Sequence, residues 1–205
     1  MSERYFDKGN WLLHWATDIE ILCPKCEAVG IIKGTPYRKS WSAIFSCHSC
    51  AYSLKTKTYG WQGSFMGRGS KPCEYCGTKY VKAKVHYENR TKIKGKTANV
   101  NCQTCRHVNT IELEFIATIP HNRAVDPYFG LELALKERTR FGQVWVYNAT
   151  HLKELKAFTS AKVRERVLSK WSYFTRLPSW LKEAKNREVV LKAIEKLERK
   201  TITSI

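Results

Sequence analysis

Between Tyr80 and Tyr87 the chain alternates strictly: Tyr80, Lys82, Lys84 and His86 interleave with Val81, Ala83, Val85 and Tyr87. A period of two predicts a strand with a basic face and an apolar face. The run Val108–Ile119 predicts a second long strand, with Ile111, Leu113 and Phe115 on one side and Glu112 and Glu114 on the other. Upstream, Ile31-Ile32-Lys33 and Ala43-Ile44-Phe45 flank the turn residues Gly34-Thr35-Pro36, as in a hairpin. Leu131–Leu135 and Val144–Tyr147 bracket Thr139-Arg140-Phe141-Gly142-Gln143 and predict another.

The period changes after Asn148. Leu152, Leu155, Phe158, Val163 and Val167 recur at helical spacing behind an Asn148 or Thr150 cap. Leu177-Pro178-Ser179 breaks that helix. Asn186 is expected to cap a last one to about Arg199, with Val189, Val190, Ala193, Ile194 and Leu197 inward. Ahead of all this, residues 1–17 read as a lead-in anchored by Trp11 and Trp15.

Eight cysteines fall into four Cys-x-x-Cys pairs: Cys23/Cys26, Cys47/Cys50, Cys73/Cys76 and Cys102/Cys105. Two intervening residues let a tight knuckle aim both sulfurs at one ion, and two knuckles complete a tetrahedral four-thiolate shell. The gaps of 20 residues (Cys26 to Cys47) and 25 residues (Cys76 to Cys102) suit ribbon hairpins, the longer one carrying a tip at Lys92–Lys96. Consecutive pairing is the default reading; interleaved pairing satisfies the same sequence. A closed thiolate shell leaves no position for a catalytic water, so two structural zinc ions are expected. Disulfides do not suit a reducing compartment, and the even spacing does not suit iron–sulfur clusters.

These elements predict an α+β fold in four serial parts. They are a lead-in and first zinc ribbon (1–58), a linker (59–71), a second ribbon (72–120), and a hairpin with C-terminal helices (121–205). The linker is inferred from the glycines and serines of Gly60–Ser70. The last part has no cysteine from Asp126 onward and is expected to fold without metal.

Charge adds a functional expectation. The formal net charge is +18, of which Ser53–Arg106 carries +10 and Lys153–Lys200 carries +8. Such an excess favours polyanionic partners. Lys79, Lys82, Lys84, Arg90, Lys92, Lys94 and Lys96 are the candidate phosphate contacts, with Trp61 and Arg68 as candidate stacking groups. Backbone binding to nucleic acid is expected, with DNA and RNA both open. The competing reading is an adaptor in a larger protein complex, anchored by Trp171 and Trp180.

Catalytic material is sparse. Asp7, Asp18 and Asp126 are the only aspartates, and no phosphate-binding loop, nucleophile elbow or complete deaminase motif is present. His151 with Glu154 is the one helical His–carboxylate pair worth testing. A non-catalytic protein without a small-molecule substrate is expected. No apolar run reaches the ~20 residues of a membrane span, and a cytoplasmic location follows as the expectation.

Asp126-Pro127-Tyr128-Phe129-Gly130, Trp145-x-Tyr147-Asn148-x-x-His151-Leu152, Leu177-Pro178-x-Trp180 and Lys185-Asn186-Arg187 resemble a family of uncharacterised bacterial zinc-ribbon proteins. The likeness covers roughly 126–200. It implies an architecture and a bacterial cytosolic setting, and no activity. Tyr128, Phe129, Trp145 and Tyr147 are read as core aromatics.

Overall fold

The computed structural model describes residues 4–36, 41–118, 124–165 and 172–203. In chain order its strands and helices are β1 (Arg4–Phe6), β2 (Asp18–Leu22), β3 (Val29–Thr35), β4 (Ser42–Ser46), β5 (Ser53–Lys55), α1 (Thr56–Tyr59), β6 (Phe65–Lys71), β7 (Val81–Tyr87), β8 (Thr97–Asn101), β9 (Val108–Glu112), β10 (Glu114–Ala117), β11 (Lys136–Thr139), β12 (Gly142–Trp145), α2 (Ala149–Ser160), β13 (Val163–Glu165), α3 (Tyr173–Arg176), α4 (Ser179–Lys182) and α5 (Arg187–Thr203). The fold is α+β, and among the described residues no helix is long and apolar enough to cross a membrane.

The chain forms two compact units, and they are not serial: one comprises residues 1–60 and 122–205, the other residues 61–121. In the first unit β2-β3-β4-β5 make an antiparallel sheet. Alternation buries Ile19, Ile21, Ile32, Ala43, Phe45 and Leu54 on its inner face. Those residues share one core with Tyr128, Phe129, Leu133, Val146, Leu155, Ile194 and Leu197. Backbone bonds also cross the sequence gap: Glu20 N–H donates to the Tyr147 carbonyl (2.9 Å) and Ala134 N–H to the Glu20 carbonyl (3.0 Å). The region from Asp126 is therefore not a separate domain. Its aromatics pack on one another and also share their core with β2–β5.

The core aromatics fall as expected, with Tyr128, Phe129 and Tyr147 buried and Trp145 packed at the margin. The Asp126 carboxylate, wholly buried, accepts the N–H groups of Tyr128, Phe129 and Leu131, which explains an acidic residue at the head of that turn. Asn148 caps α2 by accepting from His151 N–H, as its position predicts. The helix stops at Ser160, short of the expected Val167, which lies outside the described residues. Val163–Glu165 instead pairs in parallel with β1, so residues 4–6 form a strand of the unit. Trp15 is buried, whereas Trp11 is exposed. Asn186 does not cap α5; its amide donates to the Trp180 carbonyl.

In the second unit β10-β6-β7 form an antiparallel sheet and β8-β9 a separate pair. The expected linker thus contains a central strand. Gly67 and Gly69 face inward, and a Cβ at Gly69 would lie 2.0 Å from the Glu112 carbonyl oxygen. Those glycines permit close backbone approach rather than flexibility. The expected long strand 108–119 is broken at Leu113 into β9 and β10, whose partners are β8 and β6. Its end, Ile119, lies outside the described residues.

Candidate functional site

The four knuckles share one construction. Each sits at the turn of a hairpin: β2–β3, β4–β5, β6–β7 and β8–β9. In each, the N–H of the first cysteine donates to the carbonyl five residues on, at 2.8–2.9 Å: Ala28, Tyr52, Thr78 and His107. The residue four positions on takes a left-handed backbone every time: Glu27 (φ 61°), Ala51 (φ 55°), Gly77 (φ 70°) and Arg106 (φ 62°). This turn points two sulfurs and several amide groups to one side.

The knuckles pair consecutively. Cys23, Cys26, Cys47 and Cys50 form one cluster and Cys73, Cys76, Cys102 and Cys105 the other, all sulfurs of a cluster lying within 4.8 Å of one another. The Sγ–Sγ distances of Cys23–Cys50, Cys26–Cys47 and Cys73–Cys105 are 3.6 Å, and that of Cys76–Cys102 is 3.7 Å. A disulfide would need about 2.05 Å. Four sulfurs about 2.3 Å from a tetrahedral ion are about 3.8 Å apart, so the clusters fit a metal and not a covalent bridge.

Electrostatics favour the same reading. The amides of Cys105 and Thr104 hold the Cys102 thiol down to about 6. Those of Cys76 and Tyr75, with the Asn109 side chain, lower Cys73. Burial opposes the charge of Cys47, but the amides of Cys50 and Ser49 bring it to about 7. Cys105 also faces an amide, that of His107, yet burial and the neighbouring thiolates push it up to about 12. Such a cluster is built for thiolates but cannot carry four negative charges without a cation. Asn109, wholly buried, joins the two knuckles of the second cluster: its amide donates to Cys73 Sγ (3.6 Å), and its oxygen accepts from Glu74 N–H (3.1 Å).

The second unit also carries the basic strand face. Register places Arg68 between Lys84 and Glu114, and Ser70 opposite Lys82. Arg68, Lys82, Lys84 and His86 are exposed, while Val81 and Ala83 are buried beneath them. Arg68, Ser70, Lys82, Lys84, Glu112 and Glu114 line an open cleft of about 790 Å³. Arg68, expected on a linker, is thus a member of the face. Ser70 was missed, although its alternation with Arg68 carries the signal. Tyr80 stands at the end of this row, with Lys79 and Lys82 Nζ 5.4 and 5.8 Å from its ring centre.

Arg90, Lys92, Lys94 and Lys96 are exposed on the β7–β8 connection. Trp61 does not join the face: its indole donates to the Ser64 carbonyl (2.9 Å) and covers Gly63. Trp180 stacks on Phe141 and lies against Gly142; Trp171 is outside the described residues.

His151 and Glu154 are not paired. His151 is fully buried, stacked on Trp15 at 4.4 Å, and its Nδ1 accepts from Tyr147 N–H. Burial lowers it to about 3. Glu154 instead accepts from Tyr5 and Lys8. Compared with protein-family models, curated proteins and solved structures, the chain matches none.

Proposed function

We propose that the chain is a non-catalytic, cytosolic nucleic-acid-binding protein whose two cysteine clusters are structural zinc ribbons. Zinc is the ion that four thiolates at tetrahedral spacing suit best. The observation that carries the binding reading is the outward row Arg68–Lys84 and Ser70–Lys82 on β6 and β7. Like charges on adjacent strands repel unless a polyanion neutralises them. A phosphate backbone does so while releasing counterions. Glu112 and Glu114 edge the cleft and would confine the backbone to the β6–β7 side.

The test is a salt titration of binding to duplex and single-stranded oligonucleotides. Replacing Arg68, Lys82 and Lys84 together by Gln should reduce the slope of log affinity against log salt by about 2–3 on duplex, less on single strands. An equal-charge control replaces the exposed Lys153, Lys185 and Lys192. Equal losses in both variants would mean diffuse attraction by net charge; no loss in either would remove the reading.

One observation favours an adaptor instead. Val29, Ile31 and Ile44 are 38–48% exposed on the outer face of the first unit's sheet. Salt-insensitive capture of a stoichiometric protein partner, lost on Ile31→Lys, would support it.

A further inference from the structure

Tyr80 stands one residue ahead of β7, in line with Lys82, Lys84 and His86, and it is 60% exposed. The Lys79 and Lys82 ammonium groups lie 5.4 and 5.8 Å from its ring centre, near the outer limit of about 6 Å for a cation–π contact. Those contacts leave most of the ring open to solvent. At about 3.4 Å per residue, the strand carries His86 about 20 Å from Tyr80. At that far end His86 pairs across the sheet with Met66, and Met66 with Ile116, which is 51% exposed. The cationic row thus runs from an exposed ring to a partly apolar row. Neither a ring nor an aliphatic side chain attracts phosphate, but both can cover the face of a base.

Charge alone gives the cleft between these ends little net attraction. Arg68, Lys82 and Lys84 line it together with Glu112 and Glu114, three cations against two carboxylates. The register sets Glu114 directly beside Arg68. A duplex packs its charge twice as densely along its axis as one of its strands does, so more of it would meet those carboxylates. In a duplex, each base face is also covered by the neighbouring pair. Tyr80 could then stack on nothing, whereas an unpaired base can lie on it while Lys79 and Lys82 neutralise the adjoining phosphates.

We propose that the outer face of β6 and β7 selects single-stranded nucleic acid over duplex, with Tyr80 as the ring on which an unpaired base stacks. This rests on the reading of that face as a phosphate-binding surface and names the form of nucleic acid it takes. The hydroxyl of Tyr80 has no part in it; the ring does.

The full zinc-loaded chain is titrated by fluorescence anisotropy at several salt concentrations. The probes are a single strand of about 12 nucleotides and the duplex of the same sequence. The single strand should bind more tightly throughout. Tyr80→Ala should weaken it by about 5- to 150-fold and leave its salt slope unchanged, because no charge is removed. Tyr80→Phe should keep the parent affinity. Duplex binding and zinc content should not respond to either change, and a strand of the same length with abasic sites throughout should bind the parent and Tyr80→Ala alike. The proposal would be overturned, with the phosphate-binding face left standing, by a duplex that binds as tightly as the single strand. An unchanged single-strand affinity in Tyr80→Ala, or a loss shared equally by the duplex and the abasic strand, would do the same. Binding of neither polymer would remove the reading of the basic face itself, and the proposal with it.

Discussion

The hydroxyl of Tyr128 donates to the backbone carbonyl of Ala16 at 2.8 Å, across 112 residues of chain. Both groups are buried, and they tie the segment before β2 to the turn headed by Asp126. Tyr128→Phe should cost about 1–2 kcal/mol, because the Ala16 carbonyl would be left without its donor. Denaturant unfolding would measure it. By the same contacts, a fragment of residues 126–205 should lack a cooperative thermal transition; a sharp transition would show that β2–β5 are dispensable.

The second unit should behave differently. Residues 61–121 have their own cluster of buried side chains, including Val81, Ala83, Ile111 and Leu113, around Cys73 and Cys102. Expressed alone, this segment should bind one metal per chain and lose its fold on chelation, since so small a core depends on the ion. In the full chain, Cys73→Ser should halve the metal content measured by elemental analysis while the first unit stays folded.

The left-handed residue of each knuckle gives a third expectation. Only Gly77 suits that backbone; Glu27, Ala51 and Arg106 hold it at a cost of about 1–2 kcal/mol each. Ala51→Gly should therefore stabilise the first unit by something under that amount, since glycine also loses more freedom on folding. Gly77→Ala should weaken the second by about 1 kcal/mol, even though nothing lies within 4 Å of the added methyl. Chelator competition against each variant reads the difference. Opposite signs at the two positions are the outcome that matters.

Two buried titrating groups act in opposite directions. His151, lowered from 6.5 to about 3 by burial, stays neutral in the folded chain while the unfolded chain takes up a proton. Its contribution is fully present above pH 6.5 and is lost progressively as pH falls toward 3. Asp126, raised by burial from 3.8 to about 6 despite the amides it accepts, contributes stability below pH 3.8 and loses it as pH rises to 6. His151→Gln removes only the first effect. Between pH 6.5 and 5 its stability should fall by about 2 kcal/mol less than that of the parent chain. Equal slopes would place a charged or solvated imidazole at that position.

Much of the metal chemistry could be read from the order of residues, because it is local. Each knuckle is closed by bonds within about six residues, so the Cys-x-x-Cys spacing marked all four knuckles; that Cys23/Cys26 joins Cys47/Cys50 and not an interleaved partner came only from the fold. The alternation of Lys82 and Lys84 with Val81 and Ala83 was equally local. What failed was whatever depended on distant partners. Gly67 and Gly69 resemble linker residues until the Glu112 backbone is brought against them. Val163 continues a helical pattern, yet Arg4 supplies a strand partner from the other end of the chain. The pairing of His151 with Glu154, the one worth testing from sequence, gives way to Trp15 stacked on the imidazole and to Tyr5 and Lys8 on the carboxylate.

The interruption of the first unit by residues 61–121 sets an order of events during synthesis. Once residue 121 has cleared the ribosome, the second cluster has all four of its cysteines and its own core. The first cluster also has its four ligands by then, but Ile19, Ile32 and Phe45 still await the aromatics that begin at Tyr128. At about 5–20 residues per second, the 84 residues from 122 to 205 take roughly 4–17 s to appear. For that interval the nascent chain carries a finished module downstream of an uncovered sheet. A metal ion bound at Cys23, Cys26, Cys47 and Cys50 would then tie the β2–β3 hairpin to the β4–β5 hairpin before any core closes over them.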